Sequence, residues 1–349
     1  SGHRMAQRII PEADGHIFFP FDLPVITERI VNIVNPKAII LIETELWPNF
    51  LRLAWRKKIP VMMMNGRISG RSMRRYSLIK RFTTRMLLQI RKFCMQSKID
   101  RERIISMGAI PKRVVITGNT KYDQTYAEVS EEERAKLRRE FRFEGKGPII
   151  VAGSTHGGEE EIVVRTFGKV LEKYPDARLL LAVREITRAA SVRFMIKHQG
   201  YTVLRRSKMG TDEDDGKGAQ IVILDTIGEL GRLYSLADVV FVGGSFVKVG
   251  GHNILEPAAH GKPVLVGPYM FNFQEIFELL SQRGVCIMTP DEKSFETTLL
   301  DLLGNPEKMK KMGEAALEVV HENQGATERN IASFEELVKE YGIKLRENA

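Results

Sequence analysis

Cysteine is nearly absent. Cys94 and Cys286 are the two in 349 residues, far apart and in no zinc or redox spacing. A disulfide framework is thereby excluded, and a reducing compartment is the default. The seven histidines include no H-x-x-x-H pair, so a dedicated metal site is not expected. No segment approaches the ~20 apolar residues of a membrane span, and the opening SGHRMAQRII is not a signal peptide. Neither G-x-G-x-x-G after a first strand nor G-x-x-x-x-G-K-[ST] occurs, which sets dehydrogenases and P-loop enzymes aside.

What is present is a soluble, two-domain composition, with 43% hydrophobic and 28% charged residues. The net charge of +9 is uneven: between Arg67 and Arg113 fourteen Lys or Arg face two acids, Asp100 and Glu102. Tyr76, Leu78, Ile79, Phe82, Met86 and Leu87 alternate with these bases, so the helices here carry an apolar and a cationic side. Such a face suits anionic lipid headgroups or an acidic substrate. Nucleic acid is not expected, because stacking aromatics are few and no nucleic-acid motif appears.

Short apolar runs alternate with amphipathic stretches throughout, which predicts parallel α/β architecture. Strands are expected at 38–42, 61–64, 92–95 and 114–117, with helices at 25–34 and 49–57. After a charged helix at 130–142 and a turn at 144–148, a second series follows at 149–152, 178–182, 221–224, 239–242 and 264–266. Two Rossmann-like domains facing a central cleft are predicted: 1–125, N-terminally incomplete and facing acceptor and membrane, and 126–349, binding the nucleotide and carrying the C-terminal helices. The stretch 205–220, containing GTDEDDGKG, reads as a surface loop.

Residues 237–268 read as strand, glycine turn, helix start and strand. Gly243-Gly244 ends the strand, Gly250-Gly251 precedes Asn253 as an expected N-cap, and Glu256 is an acid suited to a ribose diol. Other polar clusters follow predicted strands: Glu43 and Glu45 in ETELWPN, Lys121 in TGNTKYD, the donors Gly153-Ser154-Thr155 in AGSTHGGEEE, Arg184 after LLLAV, and Ile227-Gly228-Glu229 in DTIGEL. Each alone is also a turn or a helix start; together they put cations, donors and carboxylates at the ends of at least five strands, where ligands bind.

These strings, with VGGSFVKVGGHNILEPAAHGKPVLVGP and FNFQEI, resemble the 3-deoxy-D-manno-octulosonic acid (Kdo) transferases over nearly the whole chain. The resemblance implies a GT-B glycosyltransferase fold, CMP-Kdo as donor, a lipid A precursor as acceptor, and inverting transfer with neither metal nor cofactor. It further implies CMP contacts at Val183, Arg184, Ile227, Gly228, Glu229, Asn253, Ile254, Leu255 and Glu256, and transition-state stabilisation by Glu43 and Lys121. The implied location is the cytoplasmic face of the bacterial inner membrane, bound peripherally. Where the family reads P-R-H, this chain has Val183-Arg184-Glu185. Members begin with an anchoring segment and an S-V-G-E motif whose glutamate is the general base. Neither is found here, so CMP binding with poor transfer is expected, a general base being worth ~10²–10⁴-fold. The competing expectations are another GT-B sugar-nucleotide enzyme, such as a UDP-sugar transferase or epimerase, and a non-catalytic binder of sugar nucleotides or anionic lipid.

Overall fold

The computed structural model describes residues 2–124, 129–211 and 217–344. The boundary expected at 125/126, the acidic middle of the 205–220 loop and the end of the charged tail lie outside them. The described residues form two compact units, each built on a parallel sheet.

The first sheet has strands β1 Ile39–Ile42, β2 Val61–Gly66, β3 Lys92–Met95 and β4 Val114–Ile116, side by side in chain order. The inner strands are apolar on both faces, as sheets covered on both sides require. On one face Met63, Phe93 and Met95 join Leu51, Leu87 and Ile104. On the other, Met62 and Cys94 pack against Leu337 of the helix Ala326–Glu340.

That second face corrects the expected domain division. The C-terminal helices are not all in the second domain: Asn323–Ala349 groups with Ser1–Asp123. The contacts give the reason. Asp123 accepts from the Gly325 amide at 2.7 Å and from the Thr327 hydroxyl at 2.7 Å. Thr117 donates to Asn330 at 3.2 Å, and Lys92 pairs with Glu336. The last helix thus covers apolar surface that the first sheet cannot otherwise bury.

The second sheet contains β5 Ile149–Thr155, β6 Arg178–Val183, β7 Val203–Arg205, β8 Ile221–Leu224, β9 Val239–Val242, β10 Val264–Val266 and β11 Cys286–Met288. Their order is β11-β10-β9-β5-β6-β8-β7, all parallel. From β5 the chain winds one way through β6, and from β9 it winds the other way through β10. The switch point therefore lies between β5 and β9, and at the carboxyl ends of such strands the diverging loops open a crevice. β7 and β11, at the two edges, have three residues each and were not expected; β7 occupies the approach to the predicted loop.

One side chain organises the switch point. The helix Glu159–Lys173 begins with Glu159, which is 0% exposed. Its carboxylate accepts four backbone N–H bonds: from His156 at 2.9 Å, Gly244 at 2.7 Å, Ser245 at 3.0 Å and Phe246 at 2.8 Å. The last three belong to the turn after β9, the first to the loop after β5. A Cβ on Gly243 would lie 2.5 Å from the Ser154 carbonyl oxygen and 2.9 Å from Glu159 Oε2, so the turn closes over the carboxylate only with glycine there.

Glu159→Ala leaves these N–H groups without their acceptor and is expected to cost on the order of 3–5 kcal/mol. Both tryptophans, Trp47 and Trp55, belong to the first unit, so the loss should appear in urea unfolding followed by circular dichroism rather than by tryptophan emission. An unchanged midpoint would show that the turn does not depend on Glu159.

Candidate functional site

In the second unit a cavity of ≈ 560 Å³ opens at the carboxyl ends of β5, β6 and β8. Its wall comprises Ser154 and His156 after β5, Val183 to Ile186 after β6, and Thr226 to Gly228 with Leu230 after β8. The loops are shaped by unusual backbone. Ser154 has φ 56, a left-handed conformation that costs a non-glycine residue energy and clusters at functional sites. Gly153-Ser154-Thr155 is not a free donor loop, as expected, but the bulged end of β5, whose register with β6 shifts between Ala152 and Thr155. Gly228 adopts φ 90, so the turn it makes favours glycine.

The charges of this wall are distributed unequally. Arg184 is exposed; its amide donates to the Thr155 carbonyl at 2.9 Å, and its guanidinium makes no hydrogen bond or ion pair among the described residues. Glu185, beside it in the wall, is exposed and in no ion pair among the described residues, whereas Asp225 and Glu229 are consumed. Asp225 accepts from Ser207 at 2.8 and 2.6 Å and pairs with Arg205 at 2.7 Å; burial opposes its ionisation, but these partners outweigh burial and hold its pKa below the usual range. Glu229 pairs with Arg206 at 2.9 Å and Arg232 at 3.1 Å and accepts from Thr226. Again burial is overcome, and its carboxyl is pulled down to about 2. Glu229 is thus a clamp on the loop, while Ile227 at its tip is 87% exposed and presents a bare apolar surface at the cavity's edge.

His156 in the wall meets His252 from the loop after β9, with Nε2 atoms 2.8 Å apart. Their ring planes differ by 2° and their centroids are 5.1 Å apart. Parallel rings in a stack stay about 3.5 Å apart or more. A closer atom contact therefore means that the two imidazoles lie nearly in one plane, nitrogen to nitrogen. The loop bearing His252 is closed by Gly250 and Gly251, whose amides both donate to the Gly244 carbonyl, at 3.1 and 2.8 Å.

Asn253 is not the N-cap itself. The helix is Leu255–Ala259, with Ile254 at the cap, and Asn253 acts from one residue earlier: its Oδ1 accepts from the Leu255 amide at 3.1 Å and its Nδ2 donates to Glu256 at 3.1 Å. Five residues carry little macrodipole, so the helix start contributes less to anion binding than the sequence suggests. Ile254 and Leu255 are wholly buried, leaving only backbone to offer. Burial raises the pKa of Glu256, against the Asn253 bond that lowers it. A Cβ on Gly231 would lie 3.8 Å from Glu256 Oε2, which sets this carboxylate beside the residues following Ile227-Gly228-Glu229. His260 reinforces the contact through the Gly231 carbonyl at 2.8 Å.

Of the nine nucleotide candidates, then, Val183, Arg184, Ile227 and Gly228 line one cavity. Glu229 turns to Arg206, and Asn253 with Glu256 adjoins through Gly231.

The two remaining candidates are in the first unit. Glu43 follows β1 with φ 60, again a left-handed non-glycine residue, and its amide donates to Met64 at the end of β2. Glu45 does not point alongside it as an extended chain would have it; it is exposed and accepts from the Trp47 indole at 2.9 Å. Lys121 follows β4, and its loop is held to β2 by the Thr120 amide on Asn65 at 3.1 Å. The end of β2 thus anchors both Glu43 and Lys121. Asp22, not singled out from the sequence, caps the helix Pro48–Arg56 through the amides of Asn49 at 2.9 Å and Phe50 at 2.8 Å. Glu159, His156 and Arg206 were likewise missed as individuals; only the donor-rich string AGSTHGGEEE hinted at the first two.

Residues 1–124 match the family described as 3-deoxy-D-manno-octulosonic-acid transferase (kdotransferase), and residues 211–319 match the family of glycosyl transferases group 1. The 3-deoxy-D-manno-octulosonic acid transferase of Haemophilus influenzae is 38% identical over 315 residues, covering 90% of this chain and 73% of that protein. That of Bordetella pertussis is 30% identical over 324 residues, covering 91% and 73%. Among solved structures, the UDP-GlcNAc 2-epimerase of Neisseria meningitidis, bound to UDP-GlcNAc, aligns with TM-score 0.62 over 97% of this chain and 89% of its own, at 15% identity. That likeness concerns the fold, which is GT-B.

Because the pKa of Glu229 is depressed, to about 2 from 4.5, its contribution to stability is complete above pH 4.5 and is lost as pH falls towards 2. Arg206→Ala is expected to destabilise the second unit by about 2 kcal/mol at pH 7, a charged hydrogen bond's worth. The gap to the unaltered protein should narrow across that acid window. Urea unfolding at neutral and acid pH checks it, and a gap independent of pH would mean that the Arg206–Glu229 pair is not its source.

Proposed function

We propose that this chain, which belongs to the 3-deoxy-D-manno-octulosonic acid transferase family, moves Kdo from CMP-Kdo to a lipid A precursor with inversion at the transferred carbon. The observation that carries the reading is the cavity of the second unit: a cation without an anion, Arg184, beside an open glycine turn, in a chain of this family.

In this reading Arg184 takes the nucleotide phosphate, where its planar fork matches the oxyanion. The Ile227-Gly228 turn receives the base, with exposed Ile227 as an apolar platform and the backbone groups around Gly228 within reach of its edge. Glu256, oriented by Asn253, accepts from the ribose hydroxyls. The raised pKa of its half-buried carboxyl suits a group whose partner arrives with the ligand. Glu43 and Lys121, the first unit's candidates, are assigned the stabilisation of charge in the transition state. No metal is assigned a part in the transfer, and EDTA should leave the rate unchanged.

The acceptor and the membrane surface belong to the first unit. The helices Gly70–Leu78 and Lys80–Leu87 expose Leu78, Ile79 and Phe82. Arg71, Arg75, Lys80, Arg81 and Arg85 stand among them, with no ion pair among the described residues. Apolar side chains interleaved with unpaired cations fit a peripheral contact with an anionic lipid surface, at the cytoplasmic face of the bacterial inner membrane. Among the described residues no helix is long and apolar enough to cross a membrane.

CMP should raise the unfolding temperature, by mass action on the folded state, and UDP at the same concentration should not. Arg184→Ala should weaken CMP about 10–100-fold, the loss of a charge-assisted bond of about 1.5–3 kcal/mol, with the unliganded melting temperature retained. Protection by UDP in preference to CMP would move the chain to a UDP-sugar enzyme.

A further inference from the structure

The pair His156–His252 has no part in holding the fold comparable to that of Glu159. Each ring is half-buried, each makes its Nε2 contact to the other, and no hydrogen bond to either Nδ1 occurs among the described residues. An N···N contact of 2.8 Å between coplanar rings admits one proton on that axis, donated by one ring and accepted by the other. If both Nε2 atoms carried protons, the bond would be replaced by a clash of donors and of like charges. The pair therefore has two accessible states. In one it is neutral. In the other it carries a single positive charge, the added proton sitting on Nδ1 of the ring that donates through Nε2.

We propose that His156 and His252 act as one proton-holding pair that becomes charged when the nucleotide's phosphate occupies the cavity beside Arg184. The inference rests on the nucleotide reading of that cavity. His156 lines it directly, and His252 lies within the electrostatic reach of Arg184.

The groups around the pair explain why the charge should wait for a ligand. Arg184 acts on it from the loop after β6 with its guanidinium in no ion pair among the described residues, and Glu185 lines the cavity next to Arg184. Glu159 has committed both carboxylate oxygens to backbone amides, including that of His156. Arg188, close to Gly157, is neutralised by Glu160 at 2.8 Å, and Glu256 is engaged with Asn253. With the cavity unliganded, a protonated pair would add a second uncompensated cation in a partly desolvated place. Burial first, then His156 and Arg184, accordingly push the His252 pKa down to about 4. A phosphate dianion reverses this balance by compensating both cations at once, and the pair gains a proton from solvent. The site thus carries its full positive charge only while a phosphate is present, and product release returns the proton.

The test is calorimetric titration of CMP into the protein near pH 7.5, in buffers of different ionisation enthalpy. At this pH the phosphate, with its second pKa at about 6, is already a dianion. Net proton uptake on CMP binding is expected, with affinity weakening by up to about tenfold per pH unit as pH rises towards the bound-state pKa and levelling off above it. His156→Gln and His252→Gln should each bind CMP, through Arg184, with uptake near zero. In the unaltered protein the Cε1–H resonances of both histidines should move downfield on adding CMP, a readout that needs no variant. CMP binding without proton uptake, or uptake that survives in both variants, overturns the proposal. Absence of any CMP binding overturns the nucleotide reading and this inference with it.

Discussion

The carboxylate of Glu159 is the constraint on which the second unit's site depends. A buried acid is costly unless its lone pairs are filled, and here four amides fill them, drawn from the loops after β5 and β9. The two strands flank the topological switch, where loops would otherwise diverge and leave a crevice with undefined walls. Anchoring both loops to one side chain fixes the loop after β5, whose Ser154 and His156 line the neighbouring cavity. Gly243 must lack a side chain for the turn to close, and Ser154 is left in a left-handed backbone conformation beside it. The nitrogen-to-nitrogen approach of His156 and His252 follows from the same anchor. One residue is bonded to Glu159 through its amide, and the other is carried by a loop closed on Gly244, which Glu159 also holds.

Charge at the site is arranged by subtraction. Asp225, Glu229, Glu159 and Glu160 are all acids near the ends of strands, and each is spent on arginines or amides that fix the loops. Arg184 is the cation left over. The acids that surround the cavity therefore do not make it acidic. They immobilise a wall in which Arg184 and Glu185 are the charged groups left without an ion pair among the described residues, and Arg184 is the one suited to an anionic sugar nucleotide. Holding Glu229 at about 2 keeps that clamp ionised at any pH a cell experiences.

Much of this architecture is legible in the sequence. The runs at 221–224, 239–242 and 264–266 coincide with β8, β9 and β10, because buried parallel strands read as continuous Val, Ile, Leu and Phe, and the run at 92–95 coincides with β3 through Phe93, Cys94 and Met95. β7 and β11 escaped because three residues at a sheet edge have no period to detect. Among the candidate residues, Arg184 and Ile227-Gly228 were visible as polar or glycine-containing turns directly after strands. Glu45 and Asn253 were misjudged for a local reason: the left-handed turn at Glu43 breaks the extended geometry assumed for the first, and an early turn at Ile254 displaces the cap from the second.

By itself the sequence determined the parallel α/β class, the two-unit plan and the likeness to Kdo transferases, since all three are written in local patterns and short strings. The tertiary structure alone decided that the last helix belongs to the first unit, that Glu159 is a bolt rather than a surface acid, and that two histidines form a pair. His156 and His252 are 96 residues apart, and Glu159 and Gly244 are 85. The physical reason is the same in each case. A residue's partner across such separations is set by strand order and by which face of a sheet remains uncovered, and neither is encoded in the residues beside it.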